Sequence, residues 1–168
     1  MRTRLLRVGF LGLAFAAAAA PARADATLLV GLNTPSAPSP SIGVAWGFAP
    51  GTVGFELEYA ATPGQPSATR TAVRTISGNL VVDTPVRVHG GRVYVIGGLG
   101  LYGETGRGRG SGEVAATDFG VGMKIPVAGA IKFRLDYRVF LGHTPDASGG
   151  FPKSVHSQRF SAGLTLAF

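Results

Sequence analysis

Apolar and polar residues alternate along most of this chain with a period of two, which is typical of β-strands that have one apolar face. The alternation is clearest near residue 168, where Phe160, Leu164, Leu166 and Phe168 share one face and small or polar residues occupy the other. A strand of about ten residues with one apolar face is long enough to cross membrane hydrocarbon as part of a β-barrel. The pattern therefore predicts a transmembrane barrel.

The rest of the chain repeats this pattern. No stretch beyond residue 24 shows a sustained apolar repeat at helical spacing, and the 26 glycines and 11 prolines would interrupt most helices. Eight alternating segments are present, and bacterial single-chain barrels have an even number of strands. We predict an all-β fold, an eight-stranded antiparallel up-and-down transmembrane β-barrel. The predicted strands are residues 26–33, 41–48, 53–59, 75–83, 92–103, 117–127, 130–141 and 157–168.

The connections between these segments alternate in length. Long connections, rich in Gly, Pro, Ser, Thr and charge, follow the odd-numbered segments at residues 34–40, 60–74, 104–116 and 142–156. Shorter connections follow the even-numbered segments at residues 49–52, 84–91 and 128–129. Outer-membrane barrels have short turns at the periplasmic end and longer loops at the outer end. The alternation predicts that both termini lie in the periplasm.

Charged residues in the predicted strands fall on the face opposite to the apolar rows. Rows such as Phe55, Leu57 and Tyr59 carry no charge and are predicted to face lipid. A charge on the lipid face costs about 2 to 4 kcal/mol near the midplane, so we expect charges to collect inside the barrel. The predicted lumen charges are Glu56, Glu58, Asp118, Lys124, Lys132, Arg134, Asp136, Arg138 and Arg159.

These lumen charges bear on whether the barrel conducts solutes. Five of them are basic and four are acidic, so their charges nearly cancel. An eight-stranded barrel is only wide enough for its own side chains to fill. The sequence therefore favours a paired internal network, and a narrow solute channel stays open as the alternative.

Aromatic residues give a separate indication of orientation, because membrane barrels carry aromatic belts at both interfaces. If the odd-numbered segments run outward, the predicted strands place one aromatic set at each end of the barrel. The periplasmic set is Trp46, Phe48, Phe55, Phe133 and Phe168, and the outer set is Tyr59, Phe119, Tyr137 and Phe160.

The fifth predicted strand is ambiguous. Residues 93–99 are apolar at both parities, so the pattern does not say which residues face lipid. Residues 98–103 also match the dinucleotide-binding pattern G-x-G-x-x-G. That pattern binds pyrophosphate only where the glycines lead into a helix, and the Gly- and Arg-rich residues 104–112 would not form one. We interpret these glycines as residues that relieve crowding in a barrel strand.

The first 24 residues have the pattern of a secretory signal peptide. Arg2, Arg4 and Arg7 precede an uncharged run over residues 8–20, and Ala22-Arg23-Ala24 has the small-x-small form of a cleavage site. The uncharged run is shorter than the roughly 17 to 25 residues of a membrane-spanning helix. We predict a cleaved signal at residues 1–24 and a barrel domain at residues 25–168.

Removal of the signal changes the charge of the chain. Four of the 16 basic residues lie within residues 1–24, so the formal net charge falls from +7 to +3. The basic composition therefore gives no reason to expect a nucleic-acid partner. The chain has no Cys, so no disulfide stabilises the exported domain and the signal is not that of a lipoprotein.

Together with these features, residues 94–100 (YVIGGLG), residues 133–138 (FRLDYR) and the final Phe168 resemble the small outer-membrane β-barrel superfamily, the OmpA-like barrels. The resemblance covers essentially all of residues 25–168. It implies a location in the bacterial outer membrane, in contact with outer-membrane lipids. It also implies an insertion signal that the barrel-insertion machinery reads. That signal would consist of Phe160, Leu164, Leu166 and Phe168.

The resemblance concerns architecture, so activity has to be predicted from the loops. We expect a structural or surface-interaction role carried by the four outer loops, without catalysis. Basic residues in these predicted loops are candidates to contact lipopolysaccharide phosphates, because guanidinium and ammonium groups bind phosphate through charge-assisted hydrogen bonds. The candidates are Arg70, Arg74, Arg107, Arg109 and Lys153.

A lipid A deacylase is the enzymatic alternative, since such deacylases are similar small barrels. Their base is a His with a nucleophilic Ser two residues later. Here His143 is followed by Thr144 and Pro145, and His156 directly precedes Ser157, so neither has the required spacing. A soluble lipocalin-like barrel would need an apolar interior and a polar exterior, the reverse of the rows described above. We predict no catalytic, cofactor-binding or metal-binding residue.

Overall fold

A computed structural model describes residues 23–34, 38–64, 72–106, 109–144 and 153–168. This part of the chain forms eight β-strands, and it contains no helix long and apolar enough to cross a membrane. The strands are β1 (Arg23–Asn33), β2 (Ser39–Ala49), β3 (Val53–Thr62), β4 (Ala72–Val88), β5 (Gly91–Gly106), β6 (Arg109–Ala128), β7 (Ile131–Thr144) and β8 (Lys153–Ala167).

The eight strands form a closed antiparallel barrel in which each strand pairs with its neighbours in sequence. The barrel closes between β1 and β8, whose register runs from the pair Asp25 and Ala167 to the pair Asn33 and Arg159. Beyond that register, Ala24 and Phe168 exchange two backbone hydrogen bonds, of 3.0 and 2.9 Å. Closure leaves no strand edge unpaired along the seam, which a lipid environment requires. The predicted fold class is confirmed.

All eight predicted strands are present, and most are longer than the alternation indicated. The predicted connection at residues 84–91 is wrong, because β4 continues to Val88 and only His89 and Gly90 form the turn. Both turn residues have positive φ, 49° and 78°, as a two-residue turn of type I′ requires. The predicted loop at residues 104–116 is also mostly strand. Within it, β5 and β6 are still paired, with Glu104 opposite Gly112 and Gly106 opposite Arg109.

The two faces of the barrel differ in chemistry as the alternation predicted. Large apolar side chains cover the exterior, among them Trp46, which is 64% exposed. The predicted outward row Phe55, Leu57 and Tyr59 is exposed, while Glu56 and Glu58 between them are buried. The predicted insertion-signal residues also lie on the exterior. They are Phe160, Leu164, Leu166 and Phe168.

The structure resolves the ambiguity of the fifth strand. In β5 the side chains of Tyr94, Ile96 and Tyr102 are buried inside the barrel, and Leu99 is 71% exposed on the outside. Even-numbered residues of β5 therefore face the lumen. The predicted signal peptide lies outside the described residues except for Arg23 and Ala24, the first two residues of β1. Cleavage of the signal stays a prediction.

Candidate functional site

Seven of the nine predicted lumen charges, all except Lys124 and Lys132, are buried together in the barrel, because the strands that carry them face one another. Glu56 and Glu58 project inward from β3, while Arg134, Asp136 and Arg138 project inward from β7. Residues two apart on a strand point to the same side, so each strand presents a row of charge. β3 and β7 are four strands apart in the eight-stranded barrel, so they lie on opposite walls. Their two rows of charged side chains therefore face each other across the lumen.

Glu56 is the centre of this network. Arg134 donates hydrogen bonds from Nη1 to Oε2 of Glu56 at 2.5 Å and from Nη2 to Oε1 at 3.0 Å. Arg138 Nη2 donates to the same Oε1 at 2.7 Å. The parallel bonds from Arg134 form the bidentate geometry that is among the strongest of carboxylate contacts. One carboxylate on β3 is therefore fixed by two guanidinium groups on β7.

Further ion pairs extend the network around the lumen. Arg138 Nη2 lies 2.8 Å from Oε2 of Glu58, and Arg138 Nη1 lies 3.5 Å from Oδ2 of Asp118 on β6. Arg159 on β8 forms an ion pair with Glu58 and donates a hydrogen bond to Thr75 Oγ1 at 3.1 Å. The network therefore joins β3, β4, β6, β7 and β8.

Asn79 on β4 connects two charges of opposite sign. A carboxylate only accepts hydrogen bonds and a guanidinium only donates them, so the amide nitrogen of Asn79 must face Asp118 and its oxygen must face Arg138. In this orientation the nitrogen donates to Asp118 Oδ1 at 3.0 Å, and the oxygen accepts from Arg138 Nη1 at 3.0 Å. Asn79 therefore helps to position Asp118, because the ion pair between Asp118 and Arg138 is long, at 3.5 Å.

Tyr94 and Asp25 also belong to the network and, like Thr75 and Asn79, were not predicted from the sequence. The Tyr94 hydroxyl donates to Asp136, and the Tyr94 ring lies 5.3 Å from the Arg134 guanidinium and 5.7 Å from Lys124 Nζ. Lys124 in turn forms a 2.5 Å ion pair with Asp25. Tyr94 was missed because residues 93–99 are apolar at both parities. Asp25 shares its parity with the inward Thr27 and Leu29, a signal that was available in the sequence.

An apolar layer closes the lumen above the charges, toward the end with the long loops. Val73, Tyr102, Ala116 and Phe140 pack together there inside the barrel. The guanidinium of Arg159 lies over the Phe140 ring, 4.7 Å from its centroid, and links this layer to the network. The lumen is therefore filled in two layers, one charged and one apolar.

Three of the five residues predicted to contact lipopolysaccharide lie in strands and not in loops. Arg74, Arg109 and Lys153 belong to strands β4, β6 and β8 instead of loops, because these strands extend beyond the apolar band. The Arg74 side chain is exposed at the long-loop end of β4. Arg70 and Arg107 lie outside the described residues.

Lys132, predicted in the lumen, is half-buried near the short-turn end of β7.

The histidine and serine of the deacylase alternative have other partners. His143 is exposed, and its Nε2 lies 3.1 Å from the Thr117 hydroxyl. Ser157 is buried and donates to Asn33 Oδ1 at 2.6 Å. Within the described ranges, no group of three or more His, Cys, Asp or Glu residues is placed to hold a metal ion.

Comparison with known proteins bears on the fold. The sequence matches no protein-family model and no curated protein. Among solved structures, Neisserial surface protein A is similar, with a TM-score of 0.64 and 17% identity over 88% of this chain and 96% of that one. The N-terminal β-barrel domain of Pseudomonas aeruginosa OprF gives a TM-score of 0.63 and 12% identity, covering 87% and 97%. The chain has the fold of the small eight-stranded outer-membrane β-barrels.

A third match has the same outer-membrane barrel fold. A major outer membrane protein from Thermus thermophilus gives a TM-score of 0.54 and 13% identity, covering 88% of this chain and 99% of that one. At such identities the comparisons concern the fold. The apolar exterior and charged interior of this chain are the arrangement that such a barrel needs in lipid, and the reverse of a soluble barrel.

Proposed function

We propose that the protein is an integral outer-membrane barrel with a non-catalytic role in membrane structure or in surface interaction through its outer loops. In this proposal the chain is exported through a cleaved signal at residues 1–24. The barrel-insertion machinery then reads its last strand, with Phe160, Leu164, Leu166 and Phe168 as the signal. Both termini and the three short turns face the periplasm.

The filled lumen is the observation that carries this proposal. Arg134, Arg138 and Glu58 are fully buried at the centre of the barrel, and the Tyr102 and Phe140 layer lies above them. A solute would have to break several buried ion pairs to pass, so the lumen supports a structural plug and not a channel. In this proposal the protein contacts its partners through its outer end, where the strands extend beyond the apolar band.

Lipopolysaccharide is the surface partner that the charge distribution supports. Arg74 is exposed on the outward face of β4, in one row with Gly103 and the exposed Glu113. A guanidinium at this height would meet the phosphates of the outer leaflet. Four further basic residues are proposed to act with it, namely Arg70, Arg107, Arg109 and Lys153.

The lipopolysaccharide contact is tested by neutralising these five residues to Gln and measuring binding of purified lipopolysaccharide to the refolded barrel. We expect binding to weaken and to lose most of its salt dependence, because phosphate contacts are screened by salt. A matched control carries Arg87→Gln and Arg92→Gln at the opposite end of the barrel and should bind normally. Unchanged binding by the five-residue variant would remove this partner.

Orientation is tested by single cysteines, since the chain has no Cys of its own. Thr34 is exposed at the long-loop end of β1, and Ala130 is exposed in the short turn between β6 and β7. In intact cells an impermeant maleimide should label Thr34→Cys. Ala130→Cys should be labelled only after the outer membrane is permeabilised. The opposite pattern would contradict the proposed orientation.

A further inference from the structure

Four basic residues lie in one row that runs across neighbouring strands from the lumen to the short-turn end of the barrel. Arg134 on β7 is opposite Lys124 on β6, and Lys124 is opposite Arg92 on β5. Arg92 is in turn opposite Arg87 on β4. Directly opposite residues share a face of the sheet, so all four side chains are on the face that looks into the lumen, where Arg134 is buried. Like charges at such positions destabilise a sheet, so the row needs anions beside it.

Three members of the row have a carboxylate partner at 2.5 to 2.7 Å. The pairs are Arg134 with Glu56, Lys124 with Asp25, and Arg92 with Asp83. The fourth member, Arg87, is exposed, and no acidic residue in the described part of the chain forms an ion pair with it. The row therefore ends in a cation that has no anion of its own, at the point where the sheet extends beyond the barrel.

A bulge in β4 brings Arg87 into this row. Where β5 has the single residue Val93 between its paired positions, β4 has the three residues 84–86. The Thr84 hydroxyl donates to the Val93 carbonyl at 2.8 Å and so fixes the extra residues against β5. Bulges at the rims of barrels change the direction of side chains. Without the two extra residues, Arg87 would not be opposite Arg92.

The strand edge beside Arg87 is open. The described part of β3 pairs with β4 no farther than Asp83, whose N–H donates to the Thr52 carbonyl, and the rest of β4 pairs with β5 alone. Val88 and Gly91 flank the two-residue turn and therefore form its hydrogen-bonded pair. The backbone N–H and C=O of Arg87 consequently point away from β5. Arg87 thus presents a guanidinium group, a backbone donor and a backbone acceptor at one open edge.

We propose that this edge binds an extended acidic peptide segment of a partner protein, with one carboxylate side chain opposite Arg87. A strand added to an open edge forms backbone hydrogen bonds with it, and specificity comes from its alternate side chains. The side chain opposite Arg87 lies on the same face as the row. A carboxylate there would pair with Arg87 as the Asp83 carboxylate pairs with Arg92.

The direction of the row favours a peptide over a lipid headgroup. The row faces the lumen side of the sheet, so the strands stand between Arg87 and the phosphates of the surrounding membrane. The three anions already in the row are carboxylates, which also favours a carboxylate as the fourth. In the orientation of the proposed function this edge is in the periplasm, so the compartment of the partner rests on that proposal.

The test uses a short fluorescein-labelled peptide in which Glu and Thr alternate, so that all carboxylates of an extended chain share one face. The barrel, refolded in zwitterionic detergent micelles, is added to the peptide, and fluorescence anisotropy is recorded. We expect saturable binding that weakens with salt. Arg87→Gln should weaken it about tenfold, which corresponds to about 1.4 kcal/mol. A peptide with Gln in place of Glu should bind the unmodified barrel at least as weakly.

Lys132→Gln is the matched control. It removes the same charge at the same end of the barrel, but Lys132 is on β7, three strands from Arg87, and is opposite Pro126 instead of a member of the row. This variant should bind the Glu peptide like the unmodified barrel. Arg87→Gln itself leaves the three ion pairs of the row intact, because Arg87 is exposed and belongs to none of them.

Three results would overturn the inference. The first is unchanged binding of the Glu peptide by Arg87→Gln. The second is an equal loss for Arg87→Gln and Lys132→Gln, which would mean that the peptide responds only to net charge. The third is displacement of the peptide by inorganic phosphate but not by acetate at equal ionic strength, which would assign the edge to a phosphate group. The titration does not depend on membrane orientation, so its failure leaves the proposed function to the cysteine-labelling and lipopolysaccharide tests.

Discussion

Arg134 on β7 and Glu56 on β3 join opposite walls of the barrel through two parallel hydrogen bonds, of 2.5 and 3.0 Å. Backbone ladders connect each strand only to its neighbours, so a side-chain pair is needed to fix walls that are four strands apart. Both side chains are almost completely shielded from solvent. The barrel is therefore stabilised by backbone hydrogen bonds between neighbouring strands and by a side-chain bridge between opposite walls, from Arg134 to Glu56.

Loss of the Glu56 carboxylate should destabilise the barrel strongly. Glu56→Ala leaves Arg134 and Arg138 buried without their shared partner, and removing one member of a buried ion pair costs about 3–5 kcal/mol. The measurement is the free energy of unfolding in urea of the barrel in lipid vesicles. Asp83→Ala is the control, because its partner Arg92 is 43% exposed and exposed pairs contribute roughly 0–1 kcal/mol. Equal losses for the two variants would contradict the bridge.

The Tyr94 hydroxyl should contribute to stability through Asp136. Tyr94→Phe keeps the ring beside Arg134 and removes the donor, which leaves a buried carboxylate oxygen with one partner fewer. We expect a loss of about 1–3 kcal/mol in the same unfolding assay. Tyr137→Phe should lose less, because the Tyr137 hydroxyl bonds to Gln158 on the exposed outer face. A larger loss for Tyr137→Phe than for Tyr94→Phe would show that the lumen contact is unimportant.

Gly122 on β6 should not tolerate a side chain. A Cβ at this position would overlap the Tyr94 ring and lie 2.6 Å from Asp136 Oδ1, so Gly122→Ala must displace part of the network. Overpacking of this kind costs typically about 1–3 kcal/mol. Gly78→Ala is the control, since its Cβ points into open space on the exterior. The prediction fails if the two alanine variants unfold at the same urea concentration.

Because its lumen is filled, we expect the barrel not to conduct ions. Planar bilayers that contain the purified barrel should show no reproducible open steps, because the ion-pair network and the apolar layer over it occupy the interior. Regular conductance steps that scale with the amount of protein would favour the narrow channel instead.

The sequence predicted the barrel because alternation reports directly which residues face lipid. It placed Glu56 and Arg134 in the lumen through their parity, but parity does not say which charge meets which across the barrel. Those contacts depend on strand register around the whole ring. Tyr94 was not predicted because residues 93–99 are apolar at both parities. The strand ends were misjudged where Gly-rich segments such as residues 109–112 belong to a strand without an apolar face to mark it.

Insertion of a closed barrel into the outer membrane can be tested by membrane fractionation combined with electrophoresis of heated and unheated samples. A closed barrel keeps its ladder in detergent until it is heated, so the protein should sediment with outer membranes and change its mobility on boiling. Recovery in the soluble periplasmic fraction, with one mobility before and after boiling, would mean that the protein is not a membrane-spanning barrel.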